Sequence, residues 1–122
     1  MNPRKQKRIE ETLRREISNI ILYELKDPGA GFPTLTGVEL SGDQRSAKVK
    51  VVAHGSDEER DRTLRTLRRA RGYIQGLIGN RLDLRYTPVL QFEEDAELQK
   101  ALRVEKLIDE ARRQDREFRD TP

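Results

Sequence analysis

The alternation of apolar and polar residues in SAKVKVVA (46–53) constrains the fold more than any other feature of this chain. Neighbouring side chains of a β-strand point to opposite faces of the sheet, so Ala47, Val49, Val51 and Ala53 share one face and Lys48 and Lys50 lie on the other. LTGVELS (35–41) is also typical of a strand, and the turn-rich SGDQR (41–45) joins the two. The pattern predicts a β-hairpin whose apolar face must be covered by helices.

The first helix predicted to cover that face lies at the N-terminus. Asn2 and Pro3 suit the N-cap and the first helical position. Apolar residues then recur at helical spacing as far as Leu25. We expect the helix to end near Lys26, because a proline disfavours helical conformation in the residue before it, which here is Asp27.

Two more helices follow the hairpin. Ser56 and Glu59 have the spacing of a capping box, which predicts a helix from there to about Ala70. LRRARGYIQGLIGNRL (67–82) keeps its apolar residues near one helical face and predicts a second helix over 73–82. Each glycine inside a helix costs about 1 kcal/mol relative to alanine, so the three glycines of this segment need a reason.

The glycines of this segment suggest two structural roles. Gly72 follows the junction of the two helices in Ala70-Arg71-Gly72, where a glycine allows a kink or a left-handed cap and lets another backbone come close. Gly76 and Gly79 are expected to permit close packing of the helix on the sheet.

The C-terminal third completes the sheet and adds a tail. Segment 89–93 predicts a third strand, with Pro88 at its start. A helical pattern then runs from Leu98 to Ala111, before the chain becomes almost entirely polar. We therefore predict a two-layer α+β domain over residues 1–95, with the order helix-strand-strand-helix-kink-helix-strand. Residues 96–122 form a helical, charged tail whose distal part is expected to be disordered.

Charge is unevenly distributed along the chain. Residues 1–92 hold 18 Lys/Arg and 12 Asp/Glu, whereas residues 93–122 hold 7 and 10. The positive excess of the first part indicates an anionic partner. Arginine supplies 18 of the 25 basic residues, and its planar guanidinium suits phosphate. Codon bias or heat adaptation would produce the same excess.

Two basic clusters carry the prediction of nucleic-acid binding. Between Arg60 and Arg81 the only acidic residue is Asp61, which favours phosphate contact over a merely solvated helix face. A second cluster begins the first helix. For the two lysines of the hairpin, an exposed sheet face is an equally good explanation. The predicted RNA-binding residues are Arg4, Lys5, Lys7, Arg8, Lys48, Lys50, Arg65, Arg68, Arg69, Arg71 and Arg81.

Several function classes lack their sequence signals. There is no cysteine, and His54 is the only histidine, so no zinc site is expected. No nucleophile–base constellation, P-loop or dinucleotide fingerprint occurs, which predicts neither an enzyme nor a cofactor. No long apolar run or signal core is present, so we expect a cytoplasmic protein without a membrane partner.

The element order resembles that of a type II KH domain, an RNA-binding fold in which a glycine-containing loop between two helices clamps a nucleotide backbone. The junction here lacks a full GxxG loop, but Ala70-Arg71-Gly72 resembles the Ala-x-Gly kink of the ribosome-binding factor A family. The resemblance covers roughly residues 5–112. The residues that carry it are Arg8-Ile9, Lys26-Asp27-Pro28, Thr36, Val38, Ser41, Asp43, Ala47, Val49, Val51, Arg85, Pro88, Leu90, Phe92 and Asp95.

This resemblance implies a non-enzymatic, monomeric factor. Such a factor binds the small ribosomal subunit and its 16S rRNA during late maturation, including the region near the 5′-terminal helix of that rRNA, and is associated with growth in the cold. The alternative is a protein–protein adaptor whose charged helices bind an acidic partner. Steep salt dependence with nucleic acid separates the two functions.

We predict that removing the residues after Ala111 leaves the domain folded. RRQDREFRDTP (112–122) has Phe118 as its only large apolar residue, so it can bury little surface. Thermal unfolding of the full-length and truncated chains tests this prediction. A clearly lower melting temperature after truncation would show that the segment docks on the domain.

Overall fold

The computed structural model describes residues 2–120, with side-chain exposure and contacts for residues 2–115, and its elements follow the predicted order. They are α1 (Pro3–Asn19), a π-helical turn (Ile20–Glu24), a short 3-10 turn (Pro28–Ala30), β1 (Thr34–Leu40), β2 (Ser46–Val52), α2 (Asp57–Arg69), α3 (Arg71–Arg81), β3 (Val89–Glu94) and α4 (Ala96–Asp120). The predicted α+β architecture is confirmed.

The alternating segment forms β2, the central strand of a three-stranded sheet. It pairs antiparallel with β1, as the predicted hairpin requires, and parallel with β3. A register shift between Leu35 and Gly37 places a bulge in β1. Because β2 and β3 are parallel, both strands begin at the same end of the sheet, which is the end that carries the hairpin turn.

The core lies between one face of the sheet and α1, α2 and α3. Its largest fully buried side chains come from every one of these elements: Leu13, Ile17, Ile20, Leu67, Ile74, Ile78, Val49, Val51, Leu90 and Phe92. Burying one such side chain contributes about 1.5–3 kcal/mol. Lys48 is exposed between buried Ala47 and Val49, as the alternation predicts.

Local hydrogen bonds define both ends of the first helix. The Asn2 Oδ1 accepts a hydrogen bond from the Arg4 backbone N–H at 2.9 Å, which confirms the predicted N-cap. Regular α-helix stops at Asn19, and one π-helical turn follows before the chain reverses at Lys26 with a φ of 50°. The helical segment therefore ends where the sequence indicates, although its last turn is wider than an α-helix.

The start of α2 is held by side chains on both sides. Ser56 Oγ accepts from the Glu59 N–H at 3.2 Å, and Glu59 Oε1 accepts from the Ser56 N–H at 3.3 Å, so the capping box is confirmed. The buried Thr66 of α2 lies against the 3-10 turn. A Cβ at Gly29 would come within 2.6 Å of the Thr66 hydroxyl, so this close approach requires glycine.

The helix α4 starts from a carboxylate that is tied to the sheet. Asp95 accepts from the Thr36 hydroxyl at 2.7 Å and from the Leu98 N–H at 3.2 Å, and these bonds lower the pKa of Asp95. The helix extends to Asp120, beyond the predicted limit at Ala111. The expected disorder concerns 112–122, of which residues 121–122 and the side chains from 116 onwards lie outside the described residues, so it stays a prediction.

We predict that Phe92→Ala lowers the free energy of unfolding by about 3–5 kcal/mol, because it removes a ring that is 2% exposed at the centre of the core. The matched control on the same strand is Val89→Ala, since Val89 is 46% exposed. That variant should change the free energy by less than about 0.5 kcal/mol. Urea denaturation measures the free energy of unfolding of both variants. Equal losses for the two variants would show that Phe92 does not lie at the centre of the core.

Candidate nucleic-acid interface

The junction of α2 and α3 lies at Ala70, which ends one helix and begins the next. Its ψ of 0° departs from the helical value of about −42°, so the helical path changes direction there. The Ala70 N–H donates to the Thr66 carbonyl, and its own carbonyl accepts from the Ile74 N–H, both at 3.0 Å. Backbone hydrogen bonds therefore bridge the kink.

Of the two roles suggested for Gly72, a kink or a left-handed cap, the left-handed cap is wrong. Gly72 is the second residue of α3 and is not among the residues with positive φ. The ψ of Ala70 produces the change of direction, so the turn needs no left-handed residue. A Cβ at Gly72 would meet no heavy atom within 4 Å, because this position faces open space.

The expected packing of Gly76 and Gly79 on the sheet is also wrong. Both glycines are exposed, because α3 buries its opposite face through Ile74 and Ile78. A Cβ at Gly76 would meet nothing within 4 Å, and one at Gly79 would lie 3.0 Å from the Thr87 hydroxyl, in the loop before β3.

Four arginines line a cleft of about 550 Å³ on α2, and we call them the α2 arginine row. They are Arg62, Arg65, Arg68 and Arg69. All four residues are exposed, and none forms an ion pair with a carboxylate of the described side chains. A row of uncompensated guanidinium groups creates a positive surface that favours anions.

Two side chains, one on each side of the kink, cover the free edge of β3. The Arg68 guanidinium donates to the Phe92 carbonyl at 3.1 and 3.3 Å, and Gln75 Oε1 accepts from the Leu90 N–H at 2.9 Å. These backbone groups face away from β2, since β3 is an edge strand. The predicted RNA-binding residue Arg68 thus also holds the helix pair against the sheet.

Arg71 is the most enclosed arginine next to the kink. The residue is half-buried, and its Nε lacks a hydrogen-bond partner among the described residues. An unsatisfied buried donor costs about 1–3 kcal/mol.

Arg81 and Lys50, by contrast, have carboxylate partners within the chain. Arg81 Nη1 donates to Glu24 Oε2 at 2.6 Å, with a second contact between the same groups, and this bond lowers the pKa of Glu24. Lys50 Nζ lies 2.9 Å from Glu39 Oε1, and the resulting hydrogen bond raises the pKa of Lys50. Their charges are compensated, which weakens their case as phosphate ligands.

The N-terminal cluster lies over the other edge of the sheet. The Gln6 amide donates to the Leu40 carbonyl at 2.9 Å and Glu10 accepts from the Leu40 N–H at 2.8 Å, so α1 begins beside the end of β1. The exposed residues here are Arg4, Lys5, Lys7 and Arg8. Since β1 and β3 are opposite edge strands, the fold does not merge this cluster with the α2 arginine row.

Two arginines that are not among the predicted RNA-binding residues meet at one aromatic ring. The guanidinium carbons of Arg45 and Arg85 lie 4.8 and 5.4 Å from the centre of the Tyr86 ring. Arg45 precedes β2, and the other two residues precede β3. Only the parallel pairing of these strands brings them together, so a helical or strand period carries no signal for the cluster.

Two other kinds of site are not found among the described residues, a metal centre and a membrane-spanning helix. His54 Nε2 lies 3.2 Å from the Thr34 hydroxyl, and within the described residues no three potential ligands cluster as a metal site would require. Over the same part of the chain, no helix combines the length and apolar character needed to cross a membrane.

Comparison with known proteins identifies relatives along almost the whole chain. The family model for ribosome-binding factor A matches residues 5–108. Ribosome-binding factor A of Halothermothrix orenii is 40% identical over 120 residues, which cover 98% of each chain. That of Staphylococcus epidermidis is 37% identical over 116 residues, which cover 95% of this chain and 100% of the relative.

Solved structures give the same result for the fold. The crystal structure of ribosome-binding factor A from Thermus thermophilus superposes with a TM-score of 0.65 at 29% identity, over 73% of this chain and 94% of that one. A homology model of the Thermus thermophilus factor, fitted into a cryo-EM map of its 30S complex, has a TM-score of 0.57 at 30% identity, over 69% and 88% of the two chains.

The helix-strand-strand-helix-kink-helix-strand order and the basic helix pair beside an edge strand define a KH-like α+β domain. The match to the family model covers well over half of the sequence. The chain belongs to the ribosome-binding factor A family, and the resemblance noted from its residues is confirmed.

We predict that Gly72→Ala stabilises the protein by up to about 1 kcal/mol, because the position is ordinary helix and the added methyl group meets no atom. The same variant should weaken RNA binding if bare backbone at the kink contacts RNA. Thermal unfolding and affinity for small subunits are measured on the same samples. Gly76→Ala is the control, and it should stabilise without a change in affinity. Normal binding by Gly72→Ala would exclude a functional role for this glycine.

Proposed function

We propose that this protein is a ribosome assembly factor that binds the small ribosomal subunit through its 16S rRNA and assists late maturation of that rRNA. It acts as a cytoplasmic monomer and without catalysis of its own. The observation that carries the proposal is the α2 arginine row, which is exposed, uncompensated and next to the kink. The fit of a Thermus thermophilus relative into a 30S complex supports it.

The chemistry of the α2 arginine row suits an RNA backbone. Each guanidinium presents a planar fork of N–H donors that can bind two phosphate oxygens at once. Side chains at i, i+3 and i+7 of a helix lie on one face, so Arg62, Arg65 and Arg69 can follow successive phosphates. Phosphate contacts of this kind set affinity and orientation without reading the base sequence.

The kink brings two further groups to the same surface. Arg71 lies beside the row and forms no ion pair with a carboxylate of the described side chains. Gly72 leaves the start of α3 without a side chain, so a backbone can approach closely. Arg68 and Gln75 hold the helix pair against β3, which keeps this surface in place when RNA binds.

Assistance in rRNA maturation follows from binding rather than from chemistry. A rigid positive surface that binds one arrangement of rRNA strands more tightly than another shifts the population toward that arrangement. A preference of this kind is measured by sedimentation with purified mature and precursor subunits. Equal affinity for both would contradict a role in maturation while leaving subunit binding intact.

An adaptor that binds a protein partner is the second candidate. One observation favours it: α4 exposes several large apolar side chains, which are Leu98, Leu102, Val104, Leu107 and Ile108. An apolar contact of this kind depends weakly on salt, whereas phosphate contact depends steeply on it. The salt dependence of binding therefore separates the two functions.

We predict that Arg65→Gln weakens binding to small subunits and lowers the slope of log affinity against log salt by about 0.7–0.9, which corresponds to one lost phosphate contact. Arg81→Gln is the matched control, because Arg81 is already paired with Glu24 and should contribute little. Titrations over a range of KCl concentrations measure both slopes.

Two outcomes would contradict this assignment. If Arg65→Gln and Arg81→Gln lose the same affinity for small subunits, then exposure and the lack of a carboxylate partner do not determine which arginines bind RNA. Wild-type binding that stays flat between low and physiological salt would remove the electrostatic basis of the proposal.

A further inference from the structure

A second concentration of positive charge lies at the end of the sheet where β2 and β3 begin. Ser46 pairs with Val89, and the Val89 N–H donates to the Arg45 carbonyl at 2.9 Å. This pairing places Arg45 beside the loop that carries Arg85 and Tyr86. None of these three residues contributes to the surface formed by α2 and α3.

The Tyr86 ring is close to two cations. At 4.8 and 5.4 Å, both guanidinium carbons are within the range of about 6 Å in which a cation is attracted to an aromatic ring. Tyr86 is half-buried, whereas both arginines are exposed. The ring thus supports two long side chains that would otherwise be mobile in solvent.

Neither Arg45 nor Arg85 forms an ion pair with a carboxylate of the described side chains, although the Asp43 carboxylate lies close enough to interact with the positive charge of Arg45. The nearby Asp43 carboxylate accepts instead from the Ser41 hydroxyl at 2.6 Å and from the Arg45 backbone N–H at 3.1 Å. Two like charges held near one ring repel each other, so an external anion close to both would be stabilising.

The start of α1 adds more positive charge at this end. The Ser41 N–H donates to the Ser46 carbonyl at 2.9 Å, and the Leu40 carbonyl accepts from Gln6 at 2.9 Å. The first turns of α1, the hairpin turn and the loop before β3 therefore converge. The predicted cluster that begins with Arg4 and Lys5 is thereby brought to the same end of the sheet as Arg45.

We propose that Arg45 and Arg85, positioned by Tyr86, form a second phosphate-binding site that takes the backbone of an RNA strand. A guanidinium that stacks its face on a ring keeps its N–H edge free for phosphate, and the stacking reduces the mobility lost on binding. This inference rests on the proposed function, because it takes rRNA of the small subunit as the ligand. It extends the RNA-binding surface from α2 to the end of the sheet.

The test uses full-length protein and purified small ribosomal subunits, titrated over a range of KCl concentrations. The double variant Arg45→Gln/Arg85→Gln should bind about tenfold more weakly, with a salt slope lower by about 0.7–1.8, which corresponds to one or two phosphates. The control is Arg103→Gln, an exposed arginine that is paired with Asp57 at 2.9 Å and should behave as wild type.

Tyr86 is tested as a positioning residue by a pair of substitutions. Tyr86→Phe retains the ring and should bind as wild type, whereas Tyr86→Leu removes it and should lose several-fold in affinity. Rescue by phenylalanine shows that the ring, and not the hydroxyl, supports the arginines. Thermal unfolding confirms that each variant is folded; if Tyr86→Leu is not, the double arginine variant, which changes only exposed side chains, still decides the question.

Four results would overturn the proposal. A folded double variant with wild-type affinity and slope would show that the cluster binds no phosphate. A lower affinity with an unchanged salt slope would show that the two arginines act through packing and not through phosphate contact. If the double variant loses affinity for intact subunits but not for protein-free 16S rRNA, the two arginines contact a protein of the subunit and not the RNA. Failure of the wild-type protein to bind subunits at all would remove the proposed function itself, and this site with it.

Discussion

The burial of one face of β2 is the constraint on which the rest of the structure depends. Ala47, Val49 and Val51 point to the same side, and three helices must lie there to exclude water from them. All three helices therefore share one layer. The opposite face of β2 carries Lys48, which is exposed, Lys50, which is paired to Glu39, and Val52, which is buried. The proposed RNA-binding surface accordingly uses the outer sides of the helices and one end of the sheet.

The edge of β3 shows how one residue can serve both the stability of the fold and the proposed RNA-binding surface. An edge strand leaves backbone groups unpaired, and here Arg68 and Gln75 pair with two of them from either side of the kink. The same contacts fix the direction of the α2 arginine row. A basic residue beside the kink is thus not automatically an RNA ligand, because part of the hydrogen-bonding capacity of Arg68 is used within the fold.

Ion pairing within the chain divides the basic residues into those with a carboxylate partner and those without one. Arg81 has a carboxylate partner in the π-helical turn, whereas Arg65 and Arg69 have none among the described side chains. The partner of Arg81 lies 57 positions away in the sequence. Local charge counting treats all these residues alike, since it cannot detect a partner that only the folded chain brings close.

The amino-acid sequence determined every element whose cause is local. The alternation around Val49, the N-cap at Asn2 and the capping box at Ser56 each depend on neighbours within a few residues, so the hairpin and the helix starts were predictable. The kink at Ala70-Arg71-Gly72 was placed correctly for the same reason. The conformation of the kink was not predicted, because either Ala70 or Gly72 can produce the turn and only packing against β3 decides which of the two residues does so.

The tertiary structure decided which side chains meet. The parallel pairing of β2 with β3 brings Arg45 to Tyr86, and no period in the sequence encodes that contact. The exposure of Gly76 followed from the face that α3 buries rather than from its glycine content. Contacts between residues distant in sequence depend on the register and packing of whole elements. The list of basic residues could therefore be read from the chain, whereas their division into free and compensated charges required the fold.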